Sequence, residues 1–284
     1  MTDVDLEQWV REANAGSRQA LERTLDVIHG KVYGLCVRML WHPEDARDAT
    51  QEILIRVMTH LGNFRGESAF STWVFRVAVN YLLDVRKSRM EAQEYSFARF
   101  GRELDENLAA PNEPPDDALL LEEIKIGCTL GMLLCLDRPH RLAYILGDIL
   151  ELDHKEAAAA LDITSSAYRK RLSRARATLV AFLRAKCGLF EPKNPCRCRR
   201  RVRYAIGTGR IDPALPMFAG NRAKAREFPS VLADIRRLEE DQRAAALYRS
   251  HTEPLRLTTS PSGSAKGSPG TEIRTGVSAT NRGD

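Results

Sequence analysis

Several things are scarce in these 284 residues, and each scarcity excludes something. No apolar run approaches the roughly 18 residues that would cross a bilayer. The opening MTDVDLEQWV is acidic, unlike the basic, apolar start of a secretory leader. No membrane association is expected, and the expected location is the cytoplasm. Catalytic chemistry is equally scarce. There is no phosphate-cradling loop, no glycine-rich dinucleotide turn and no nucleophile set beside a base. His29, His42, His60, His140, His154 and His251 are scattered, without a His-Glu-x-x-His spacing. An enzyme is not expected, and no cofactor is required. No internal repeat is present. Cysteines number six, and in a reducing compartment they stay thiols unless metal-bound or redox-active.

What is present is helical. Charged residues make up 29%, aromatics 7%, and the formal net charge is +5, a soluble composition with a mild basic excess. Leu21, Leu25, Ile28, Val32, Leu35 and Met39 recur at three-to-four spacing and predict a helix over about 20–40. His42-Pro43-Glu44-Asp45 marks a break and a new start, with proline and acids in the first turn. The next helix, 44–61, buries Ala46, Ala49, Ile53, Val57 and Leu61 and turns Asp45, Asp48, Gln51, Glu52 and Arg56 outward. After Gly62 and the polar loop Arg65-Gly66-Glu67-Ser68, a fourth helix is expected, capped by Ser71 and reaching about Arg86. Its aromatics Phe70 and Trp73, with Val77, are expected in the core.

From Glu91 to Glu123 ten acids stand against two arginines, around the helix-breaking APNEPPDD. That composition predicts a mobile acidic linker. A second helical unit follows, with a short helix (Asp153–Leu161), a turn at Asp162-Ile163-Thr164, and a longer helix opening at Ser165 or Ser166. This is helix-turn-helix spacing. Tyr168, Leu172, Ala175 and Leu179 form the apolar stripe of the second helix. Ser165, Ser166, Arg169 and Lys170 offer short polar and basic groups for base edges and phosphates, and Arg171, Arg174 and Arg176 can follow a backbone. The alternative for such a face is a solvated basic surface. The spacing of the preceding helix and turn favours DNA.

With those residues in view, the run HPEDARDATQEILIRVMTHLGNFRGESAFSTWVFRVAVNYLLDVRKSR resembles region 2 of the extracytoplasmic-function (ECF) sigma factors of bacterial RNA polymerase. LDRPHRLAYILGDILELDHKEAAAALDITSSAYRKRLSRARATLVAFL resembles their region 4. The resemblance covers about 20–186 and implies an all-α chain of two helical domains joined by an acidic flexible linker, with a partly helical extension. The expected divisions are 5–90 (region 2), 91–117 (linker), 118–186 (region 4), 187–250 (Cys/Arg-containing extension) and 251–284 (disordered tail).

The resemblance also implies partners and roles. Asp45, Asp48, Gln51, Glu52 and Arg56 match the surface that binds core RNA polymerase through the clamp helices of its largest subunit, with region 4 reaching the flap. Arg65, Gly66, Glu67 and Ser68 match the loop that captures a flipped base of the −10 element. Arg76, Asn80, Arg86 and Lys87 match the helix that holds the −10 strand. Ser165, Ser166, Arg169, Lys170, Arg171, Arg174 and Arg176 fall where −35 DNA is read. The pattern departs at Arg47 and Leu54, which bears on the clamp contacts, and at Ala167-Tyr168 and Lys170, which bears on the −35 sequence preference but not on DNA binding.

Cys187, Cys196 and Cys198 are spaced Cys-x8-Cys-x-Cys within a basic run. Zinc or another soft metal needs about four such ligands, so a fourth would come from a distant residue or another chain. Three ordinary thiols and a redox switch are the alternatives. The extension is expected to carry a modest helix from about Pro229 to Tyr248. It could regulate the factor in cis, in place of a separate anti-sigma partner. A competing function is a helix-turn-helix regulator with a metal- or thiol-sensing C-terminal segment.

Overall fold

The computed structural model describes residues 3–87, 91–93, 95–106 and 117–251. The APNEPPDD stretch, up to Asp116, and the expected tail from residue 252 onward lie outside them. Among the described residues there are twelve α-helices and no strand, so the all-α expectation holds. The first four helices are α1 (Asp3–Asn14), α2 (Arg18–Leu40), α3 (Pro43–His60) and α4 (Phe70–Asp84). Each starts for a local reason. The Ser17 hydroxyl accepts from the Ala20 amide at 3.3 Å to cap α2, and Pro43 opens α3 with Glu44 and Asp45 in its first turn. Ser71 does not cap α4: Ala69 holds that position without a side-chain bond, and Ser71 lies inside the helix. Most of the predicted stripes are buried, including Ile28, Val32, Leu35, Met39, Ala46, Ile53, Val57 and Leu61, whereas Leu21 and Leu25 are half-buried. Each of these buried Ile, Val, Leu and Met side chains contributes about 1.5–3 kcal/mol by leaving water.

The segment expected as a mobile linker departs from that expectation. Phe97–Glu106 forms α5, which buries Phe100 and Leu104. The Phe100 ring stacks on Phe182 with centroids 5.8 Å apart. The acids that suggested a solvated tether are partly spoken for. Glu103 pairs with Arg201 at 3.1 Å and with Arg210, and Asp105 accepts from Lys186 at 2.6 Å. Charge content signalled exposure, but apolar residues at helical spacing and distant cations turned the segment inward.

The second unit comprises α6 (Ala118–Leu134), α7 (Arg138–Tyr144), a π-helical turn (Ile145–Ile149), α8 (His154–Ala160) and α9 (Ser165–Lys186). Asp153 caps α8 in a full capping box with Glu156, and Thr164 caps α9 by accepting from the Ala167 amide at 3.2 Å. Asp162 takes φ 51 in the turn between them, a left-handed conformation that aspartate tolerates. The stripe Tyr168, Leu172, Ala175 and Leu179 is buried as expected.

The extension forms α10 (Cys198–Gly207), α11 (Arg222–Ile235) and α12 (Glu240–Arg249). The single helix expected from Pro229 to Tyr248 is thus two helices, with Pro229 inside the first. α10 and α11 pack on α6, and α12 packs on α9 and the π-helical turn. Both units and part of the extension share one apolar core, which takes in Phe190, Phe218, Leu247 and Tyr248, while Val202, Ala205 and Ile211 form a second cluster with Leu120 and Ile124.

Candidate nucleic-acid interface

Three exposed polar surfaces emerge from this fold. On α3, Asp48, Gln51 and Arg56 are exposed, and Asp45 and Glu52 are half-buried. The Arg56 Nε donates to Glu52 at 2.9 Å, and its guanidinium lies 4.8 Å from the Tyr81 ring centroid. One outer strip of α3 is therefore pre-arranged by its own neighbours one turn apart.

The loop between α3 and α4 is the second surface. Arg65, Gly66, Glu67 and Ser68 are all exposed, and Gly66 sits at φ 73, where a residue with a Cβ is strained. An aromatic cluster anchors the base of the loop. Phe64 lies edge-on to Phe70 at 5.2 Å, and Phe70 stacks on Trp73 at 5.7 Å. Phe70 is fully buried, while Trp73 and Val77 are only half-buried. These rings hold the loop ends and leave its polar tip in solvent. Asn80, Arg86 and Lys87 are exposed along and beyond α4. Arg76 is exposed as well, but its Nε donates to the Ala159 carbonyl on α8 at 2.9 Å. The α4 face therefore meets the first helix of the helix-turn-helix.

The third surface is the N-terminal half of α9. Ser166, Arg169, Lys170 and Arg174 are exposed, and Ser165 and Arg171 are half-buried. Arg176 stands apart from them. Its guanidinium binds buried Asp148 through Nε at 2.8 Å and Nη2 at 2.5 Å, which raises its pKa further. It faces the π-helical turn and not the outer side of the helix. The expectation that Arg176 follows a DNA backbone differs from this placement.

Sequence reasoning overlooked the groups that join the two units. Arg138 donates through Nη1 to the carbonyls of Leu82, Leu83 and Val85 at 2.8, 3.1 and 2.7 Å, satisfying the C-terminal end of α4. Arg141 reaches Met39 O at 2.5 Å and Leu136 O at 2.9 Å, and Glu91 pairs with both arginines at 2.8 Å. No periodicity marks such residues, because their partners lie some fifty to a hundred positions away. Among the described residues no group of three or more His, Cys, Asp or Glu side chains stands ready to hold a metal ion.

Comparison with known proteins agrees with this geometry. The family profile for Sigma-70 region 2 matches residues 27–91, and that for Sigma-70, region 4 matches residues 126–179. The chain is 28% identical over 191 residues to the RNA polymerase sigma-H factor of Pseudomonas aeruginosa, an alignment spanning 62% of this chain and 92% of that protein. It is 27% identical to the ECF RNA polymerase sigma factor SigW of Bacillus subtilis, spanning 64% and 98%. It is 31% identical to the ECF RNA polymerase sigma-E factor of Escherichia coli, spanning 46% and 70%. Two region-specific matches in order, on an all-α chain with a helix-turn-helix, define a sigma factor of the sigma-70 type. The chain belongs to the ECF sigma factors. As a class these are transcription-initiation factors without an enzymatic step of their own.

Proposed function

We propose that this chain acts in the cytoplasm, binds core RNA polymerase and directs it to promoters by contacting both a −35 and a −10 element. The observation that carries this reading is the basic N-terminal half of α9, with Ser166, Arg169, Lys170 and Arg174 exposed on a capped helix-turn-helix. The α3 strip Asp48-Gln51-Glu52 is the polymerase-facing surface, engaging the clamp helices. The loop Arg65 to Ser68 with Asn80, Arg86 and Lys87 holds the unwound −10 strand. Extruding a base costs a few kcal/mol of stacking, offset by a pocket for the base and cations for its phosphates. Arg76 serves the same strand once its bond to Ala159 opens, so the two units must part for both promoter elements to be held. The packed extension acts on that step in cis, and an anti-sigma partner would act on the same surfaces.

Purified protein mixed with core polymerase and a promoter library should yield defined transcripts that neither component makes alone. Absence of both a complex with core and any specific transcript would overturn the reading. The result should also depend on α9: Arg169→Ala with Lys170→Ala should reduce the yield from −35-dependent promoters at least about tenfold, since each lost base or phosphate contact is worth about 1–3 kcal/mol.

A further inference from the structure

We propose that Cys128, Cys187, Cys196 and Cys198 form a site for one thiolate-preferring cation such as Zn2+, built jointly by region 4 and the C-terminal extension. The sequence places three of these cysteines together, and the fold supplies a fourth from α6. All four line one small cavity, along with Ile124, Met132 and Leu189. The remaining cysteines lie elsewhere: Cys36 is buried in the first unit, and the Cys135 thiol bonds to the Gly131 carbonyl at 3.4 Å.

The local chain is shaped around the sulfurs. Cys187 leaves α9 in an extended conformation, φ −89 and ψ 119, and pairs with Cys196 in an isolated parallel bridge. Gly188 permits that approach, because a Cβ there would stand 2.0 Å from the Cys196 carbonyl oxygen. The Asn194 side chain closes the loop by donating to Arg184 O at 2.9 Å and Cys187 O at 3.3 Å. The backbone N–H groups of Leu189 and Phe190 donate to the Cys187 sulfur, a contact that favours a thiolate over a thiol.

Electrostatics point the same way. Arg197 and Arg236 lie near Cys187, Arg197, Arg200 and Arg201 near Cys196, and Lys125 near Cys198, with Lys125 paired to Glu122 at 2.7 Å and Arg201 to Glu103 at 3.1 Å. A divalent ion on four thiolates carries a net double negative charge, which such a collar offsets. Binding displaces protons: one divalent cation and four thiols give a tetrathiolate complex and four protons. The four sulfurs do not yet converge on one point. Binding requires rotation of the cysteine side chains and adjustment of the loop 188–197. Occupancy would tie the end of α9 to α6 and α10.

The test uses the full, reduced chain. Titration with Co2+ should show one equivalent bound, with the charge-transfer and d–d absorption of tetrahedral thiolate, bleached by added Zn2+ and accompanied by proton release. Cys128→Ser, Cys187→Ser, Cys196→Ser and Cys198→Ser should each weaken binding at least about tenfold, and Cys135→Ser should leave it unchanged. X-ray absorption of the zinc-loaded wild-type chain should show sulfur ligands at about 2.3 Å, a readout independent of how the variants fold. Any of three results overturns the proposal: no uptake by the reduced chain, uptake indifferent to Cys128→Ser, or fewer than three sulfur ligands on zinc.

Discussion

In α1–α4 the buried polar side chains are threonines, and in α6–α12 they are mostly ions. Thr24 and Thr50 donate to Ala20 O at 2.8 Å and Ala46 O at 2.6 Å, each one turn back in its own helix. In the second unit and the extension, Glu122, Glu123, Lys125, Arg141, Asp148 and Arg201 are buried. Their partners lie on other elements as well as their own. Glu123 accepts from the amides of Met217, Phe218 and Ala219 at 2.9, 2.8 and 2.7 Å. Lys125 pairs with Glu122 at 2.7 Å, donates to Ser250 O at 3.2 Å and sits 3.7 Å from the Phe228 ring centroid. The buried threonines of the first unit thus keep their hydrogen bonds within their own helices, although the unit shares its apolar core with the rest of the chain. Buried ions contribute little net stability, yet they fix which segment docks where, because an unpaired buried charge is costly.

The contrast can be broken from its charged side. Arg141→Ala should be the most damaging change, removing one of the two arginines that pair with Glu91 and the buried donor to the carbonyls of Met39 and Leu136. A loss of about 3–5 kcal/mol is expected, read as a fall in the urea midpoint, with the second unit and the extension melting ahead of α1–α4. Equal loss in both units would erase the distinction. A pH effect of intermediate size should come from His251, whose ring Nε2 lies 2.7 Å from the Thr129 hydroxyl. Burial, with Arg38 and Lys125 nearby, holds its pKa well below 6.5. The unfolded chain therefore binds the proton more readily. Stability should be full above about pH 6.5 and decline as pH falls below it, by at most about 1.4 kcal/mol per pH unit. His251→Gln should flatten that decline in urea titrations at several pH values. Thr50→Val should matter least, costing under about 1 kcal/mol, because Ala46 O keeps its helical bond. A larger loss there would show that the first unit also relies on buried polarity.

The contrast also explains how far the sequence could be read. The four helices of the first unit, the helix-turn-helix and its buried stripe follow from spacing that local rules decode. So do the exposed residues of α3, the loop at Gly66 and the N-terminal half of α9, since a helix has one apolar face and the other must meet solvent or a partner. Segments held by distant partners escaped those rules. Glu103 and Asp105 read as linker charge until Arg201, Arg210 and Lys186 are placed beside them. Arg176 reads as a DNA contact until Asp148 is found buried next to it. Cys128 reads as a core thiol until the chain beyond α9 returns to it.

Local periodicity, capping residues and glycine or proline punctuation therefore determined the helices, their inner faces and the family. Those signals act between residues a few positions apart. Only the tertiary structure decided the contact of α4 with α8, the docking of the extension on α6 and the meeting of four cysteines. Each of these joins residues tens to a hundred positions apart, through ion pairs and close backbone approaches that leave no period in the chain.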